Sequence, residues 1–183
     1  MRPVSFFSHR RALLTSLCLG SIGPAVAQDA APPPAPAVLA HTDLVLLQPE
    51  ALLRERTGST EALARYVQAL QQAAVRALEA QFGRRPTGAF LVLAVKPGRR
   101  SRAWLDLDSP WPEPLQQTLR RALEAVPPPE VQGGPIVFAI KGSLWGGRVP
   151  TRAAPAPQAW RDEARRHEGK LDVAELVLAV WPD

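Results

Sequence analysis

The stretch AVPPPEVQGGPIVFAIKG, from Ala125 to Gly142, constrains the chain more than any other. A helical pattern runs into Pro127, Pro128 and Pro129, which cannot donate backbone hydrogen bonds, so the helix ends there. Gly133, Gly134 and Pro135 turn the chain, and IVFAIK follows with Ile136, Phe138 and Ile140 on one face and little that is polar on either. A helix stopped that abruptly before an apolar run predicts a crossover, by which a late strand comes to lie beside an earlier one.

The earlier strand is GAFLVLAV, Gly88 to Val95, apolar on both faces and therefore central. KPGRRS places Pro97 and Gly98 in a type II turn with Arg99 and Arg100 in solvent. The return strand alternates, with Ala103, Leu105 and Leu107 on one side and Arg102, Trp104, Asp106 and Asp108 on the other. Two helices frame the hairpin. One carries Leu63, Val67, Leu70, Ala74, Ala77, Leu78 and Phe82 on a stripe, with Thr60 as N-cap and Gly83 as stop. The other runs from about Pro114 to Val126 on Leu115, Leu119, Ala122, Leu123 and Val126.

The fold expected is α+β: a three-stranded antiparallel or mixed sheet in the order second, first, third, with both helices on one face. A short helix after Pro49 ends before Gly58. Leu44 to Leu47 is either a strand or a loop packed on the core. The segment 151–183 opens as a linker and continues as a charged helix, QAWRDEARRHEG, then LDVAELVLAVW, a short helix or a strand. The expected organisation is thus 1–27 signal peptide, 28–42 Pro/Ala-rich linker, 43–150 domain, and 151–183 helical extension.

The N-terminal assignment rests on Arg2, Arg10 and Arg11, then the apolar Ala12 to Leu19, then a small-x-small site at Ala25 to Ala27. The apolar segment is broken by Thr15, Ser16, Gly20, Ser21, Gly23 and Pro24, too short to span a bilayer. Cleavage after Ala27 predicts a periplasmic chain with no transmembrane segment. It removes three of the 22 Lys and Arg and none of the 17 Asp and Glu, leaving a charge of +2. That balance argues against a nucleic-acid partner, which requires a concentrated basic face. The single cysteine, Cys18, leaves with the signal, so no disulfide or thiol chemistry is expected.

No catalytic constellation is legible, no cofactor is expected, and the chain reads as a non-enzyme. Asp106 and Asp108 could supply two oxygen ligands to a metal but lack an identifiable third, and pairing with Arg99, Arg102 or Lys96 explains them better. His41 and His167 fall on a linker and a charged helix, and Ser101, Ser109 and Ser143 have no activating motif. Of Trp104, Trp111 and Trp145, at least two are better placed as packing groups than as stacking surfaces. Arg84, Arg85, Lys96, Arg99, Arg100 and Arg102 gather at the hairpin, as a solvated turn or a basic surface.

The order YVQALQQAAVRALEAQF, hairpin on KPGRR, helix PLQQTLRRALEAV, PPP and final strand resembles the C-terminal domains of the TonB and TolA envelope proteins, over Tyr66 to about Gly146. Members of that family begin with an uncleaved membrane helix and a long spacer, whereas this chain has a cleavable signal and AAPPPAPA. The resemblance therefore implies the family's recognition mode rather than its energy transduction: a periplasmic or outer-membrane protein adds a strand to an exposed sheet edge. The edge expected to receive it is Ile136, Val137, Phe138, Ala139 and Ile140, provided neither Leu44 to Leu47 nor the C-terminal segment covers it. The alternative is an anionic envelope component, such as the phosphates of lipopolysaccharide, bound by Arg99, Arg100 and Arg102.

Overall fold

The computed structural model describes residues 35–81 and 83–182. The stretch expected to be a signal peptide, its expected cleavage site and the start of the expected linker lie outside them, as does Phe82 of the helical stripe. The strands are β1 (Leu39–Leu46), β2 (Thr87–Lys96), β3 (Arg100–Leu107) and β4 (Ile136–Leu144). The helices are α1 (Glu50–Thr57), α2 (Thr60–Glu79), α3 (Glu113–Glu124), α4 (Gln158–Arg166) and α5 (Val173–Val180).

The class is α+β with an antiparallel sheet, as expected, but the sheet has four strands in the order β1-β4-β2-β3. Three of its strands hold the anticipated order, because β2 pairs antiparallel with both β3 and β4. The correction is β1. Leu44 stands opposite Ile140 and Leu46 opposite Phe138, so Leu44 to Leu47 extends the sheet and Leu39 to Thr42 belongs to it rather than to a linker. Just beyond β1 the Gln48 side chain continues the pairing, its Oε1 accepting from the Val137 amide at 2.9 Å and its Nε2 donating to the Pro135 carbonyl at 3.2 Å.

Period-two alternation then divides the core into two layers. On one face Ala89, Leu91, Leu93, Val95, Ile136, Phe138 and Ile140 pack with Leu63, Tyr66, Leu70 and Leu78 of α2 and Leu119 and Leu123 of α3. Tyr66 thereby joins the helical stripe, its ring 6.2 Å from that of Phe138 in an edge-on arrangement. The N-cap of α2 is Ser59, one residue before the expected Thr60, and its hydroxyl accepts from the Ala62 amide.

The other face, Phe90, Val92, Ala94, Val137 and Ala139, is covered by Trp160 of α4, Val177 of α5 and the partly buried Trp181. Residues 151–183 are therefore a third layer of the same unit, which runs from Ala35 to Asp183. LDVAELVLAVW resolves as a helix, opened by a capping box between Asp172 and Glu175. The linker that leads into it is strapped to β3: Arg152 pairs with Asp106 at 3.0 Å and with Asp108, and the Ala156 amide donates to Asp106 at 2.8 Å.

Candidate strand-docking edge

An antiparallel edge strand aims alternate backbone groups at its neighbour and the remainder away from it. Just past β3 the Asp108 amide donates inward to the Gly88 carbonyl, which sets the even-numbered residues of β3 toward β2 and Ser101, Ala103, Leu105 and Leu107 outward. Consistent with this register, the Ala103 amide donates away from the sheet, to Glu124 Oε1 of α3 at 3.0 Å. The outward edge forms the floor of a 690 Å³ trough. One wall is α3, with Gln116, Gln117, Arg120 and Arg121; the other holds Trp104, Pro157, Ala159 and Trp181.

Both walls are fixed by packing. Trp104 meets Trp160 at 5.5 Å and Trp181 at 6.5 Å between ring centroids, both edge-on. Lys96, fully buried, donates to the Trp181 carbonyl and lies 4.7 Å from that ring's centroid, so it anchors the aromatic wall from beneath. On the helical wall Arg120 pairs with Glu113, and hydrogen bonds from Arg120 first and Gln117 second hold the Glu113 carboxyl below its ordinary range. Arg102 lies over the Trp104 ring at 5.8 Å.

The residues expected to receive a partner strand are elsewhere. Ile136, Val137, Phe138, Ala139 and Ile140 are all fully buried, and β4 is paired on one side to β2 and on the other to β1. This corrects the expectation of a free edge there. The physical reason is that β4 is apolar on both faces, and the run Leu44, Val45, Leu46 supplies the pairing that such a strand requires. Among the described residues the sheet's edge strands are β3 and β1. The second is blunted, because the β1–β4 register shifts between Ala40 and Asp43 and His41 there has a φ of 51°.

The arginine group does not converge on one point. Arg99 pairs with Glu130 at 3.5 Å, Arg102 faces the trough, and Lys96 is interior rather than part of a basic surface. Asp106 and Asp108 are engaged by Arg152, not by Arg99, Arg102 or Lys96. Burial alone would lower the Arg152 pKa, but its hydrogen bond to the Asp108 carboxylate and the charge of Asp106 raise it above the ordinary value. Among the described residues no group of three or more His, Cys, Asp and Glu stands together as a metal site. His167 contacts Glu163 at 3.0 Å on exposed α4, and Ser143 donates to the Ala40 carbonyl at 3.3 Å. Trp104, Trp111 and Trp145 are all buried.

Sequence reasoning passed over Glu124, Arg152 and Trp181. Glu124 carried a signal: a carboxylate in the last turn of a helix opposes the macrodipole and calls for a local donor. Arg152 carried none, since it sits in a linker among alanines and prolines.

Among the described residues no helix is long and apolar enough to cross a membrane. No family model, curated protein or solved structure matches this chain.

Proposed function

We propose that this protein is a non-enzymatic adapter of the cell envelope, exported to the periplasm, which holds a partner protein by adding one of its strands to β3. The observation that carries the reading is the trough, where outward backbone groups of an edge strand lie between a polar helix and an aromatic wall. Main-chain pairing supplies affinity in such a site and the walls supply selectivity. Periplasmic placement rests on the signal-like pattern of residues 1–27, and the comparison with TonB and TolA domains on the order of elements. No nucleic-acid partner is proposed for a mature chain of charge near +2.

The test is a pull-down from envelope extract with the full chain and four variants, each first shown to fold by circular dichroism. Leu105→Pro removes an outward amide, and Gln117→Trp fills the trough from an exposed helical position. Leu44→Pro alters the other free edge, and Arg99→Ser with Arg100→Ser strips the hairpin tip. Partner capture is expected to disappear with the first two variants, to survive the others, and to persist in about 0.5 M salt, where exposed charge contacts are screened. Capture that ignores Leu105→Pro and Gln117→Trp overturns the reading. Loss in the arginine variant and in salt, together with binding of lipopolysaccharide, establishes the anionic ligand instead.

A further inference from the structure

The two walls of the trough differ in chemistry, and a strand added to β3 would present successive side chains to one wall and then the other. On the helical side stand Gln116, Gln117, Arg120 and Arg121; on the opposite side stand Trp104, Pro157, Ala159 and Trp181. The charges are unequally spent. Glu113 is held by Arg120 and Glu124 by the Ala103 amide, whereas Arg121 and Arg102 have no carboxylate partner among the described residues.

Glu124 itself marks how the site is kept when empty. Its Oε1 accepts from Ala103 where the carbonyl of an added strand would accept, so the side chain stands in for one link of a missing ladder. The last turn of α3 is an unfavourable place for a carboxylate, because the negative end of the helix dipole lies there. The amide offsets that disadvantage, and a carbonyl arriving at Ala103 would free Glu124 to water without losing a hydrogen bond.

From the unlike walls, the unspent arginines and the Glu124 contact, we infer that the trough takes an extended segment in which acidic side chains alternate with apolar ones, entering by displacing Glu124 from the Ala103 amide. The inference rests on the strand-addition reading and adds to it the class of partner and the mode of entry. Acidic side chains meet Arg121, with the charge of Arg102 in the same trough, apolar ones meet the tryptophan wall, and the displaced carboxylate makes the free edge self-capped until a partner arrives.

The test uses the full chain and three blocked octapeptides in which Val alternates with Asp, with Ser or with Lys, followed by tryptophan fluorescence. The Asp peptide is expected to bind about fivefold more tightly than the Ser peptide, with the Lys peptide weakest. Arg102→Ser with Arg121→Ser should erase that order. Glu124→Ala should tighten binding of all three by removing the competitor, with Glu124→Gln intermediate, and Leu105→Pro should abolish binding of all three. Equal affinity for the three peptides, lost in Leu105→Pro, overturns the acidic preference and leaves strand addition standing. Unchanged affinities in both Glu124 variants overturn the displacement. Binding of none at about 1 mM, or binding indifferent to Leu105→Pro, overturns the inference and the strand-addition reading together.

Discussion

At the scale of single residues, Tyr66 and Gly147 are both sharply constrained. Tyr66 is the only tyrosine, and its buried hydroxyl has no hydrogen bond of good geometry among the described residues. Burial raises the phenol above its ordinary value, against an opposing influence of Ser101 and with a further upward push from the Glu124 charge. A raised pKa means the folded state holds the proton more tightly than the unfolded one, so the associated stability is present below about pH 10 and lost as pH rises through the folded value. Ultraviolet titration should place the phenolate transition above the ordinary value, coincident with loss of structure. Tyr66→Phe should alter stability by less than about 1 kcal/mol at neutral pH, since it deletes a hydroxyl with little to lose, whereas Tyr66→Ala should cost about 3–5 kcal/mol.

Gly147 is constrained by closeness rather than by φ: a Cβ there would stand 2.3 Å from the Thr87 nitrogen and 2.4 Å from its oxygen. Backbone cannot yield as a flexible side chain can. Gly147→Ala should therefore cost about 3 kcal/mol or prevent folding, while Gly98→Ala, at a φ of 79° in open space, should cost about 1 kcal/mol in thermal unfolding. The residue most misjudged from sequence was Lys96. It shares a sheet face with Phe90, Val92 and Ala94, and a lysine on such a face belongs in solvent unless something covers it. The cover is Trp181, some eighty positions along the chain, and no local pattern announces it.

At the scale of elements, what sequence shows depends on how local its cause is. The first four helices, the hairpin and β4 were legible because periodicity, caps and turn residues act within a few positions. The proline stop held as well, with α3 closing at Glu124 just before it. The role of β1 was not legible, since its partner residues 138–144 lie far downstream and eight residues of mixed polarity resemble an entry loop as much as a strand. The candidate site inherited that gap: β4, the strand expected to be an edge, is closed by β1, and the aromatic half of the trough on β3 comes from the segment expected to be a C-terminal extension.

α5 shows how an element can matter to a site it barely touches. Its capping box joins the Asp172 carboxylate to the Glu175 amide at 2.8 Å and the Glu175 carboxylate to the Asp172 amide at 2.9 Å. Asp172→Ala should cost about 1 kcal/mol of stability. Because α5 leads directly into Trp181, hydrogen exchange around the aromatic wall should rise more than in β2. Uniform exchange changes across the sheet would refute that coupling.

At the scale of the whole molecule, the sheet is covered on both faces, and the second cover comes chiefly from residues after the 151–157 linker, with Arg152 of that linker over the Phe90 ring. A chain ended at Thr151 would uncover Phe90, Val92, Ala94, Val137 and Ala139 together. A contiguous apolar surface of that kind promotes association. The truncated chain should bind anilinonaphthalene sulfonate strongly and sediment as oligomers, while the full chain does neither. A monomeric truncated chain with unchanged dye fluorescence would show that residues 43–150 suffice as a unit.

The pairing of β1 with β4 also sets an order of events. A chain that emerges from its amino end releases Leu44, Val45 and Leu46 early, yet their hydrogen-bonding partners, Ile140, Ala139 and Phe138, come only after both main helices and the hairpin have been made. The β2–β3 hairpin can close at once from neighbouring residues, but the first strand must wait with its apolar side chains unburied. Its loop-closure entropy is the largest in the sheet, so it docks late and slows the whole reaction. Throughout that wait β4 is a strand with an open edge, and any other chain within reach can take the place that β1 later fills.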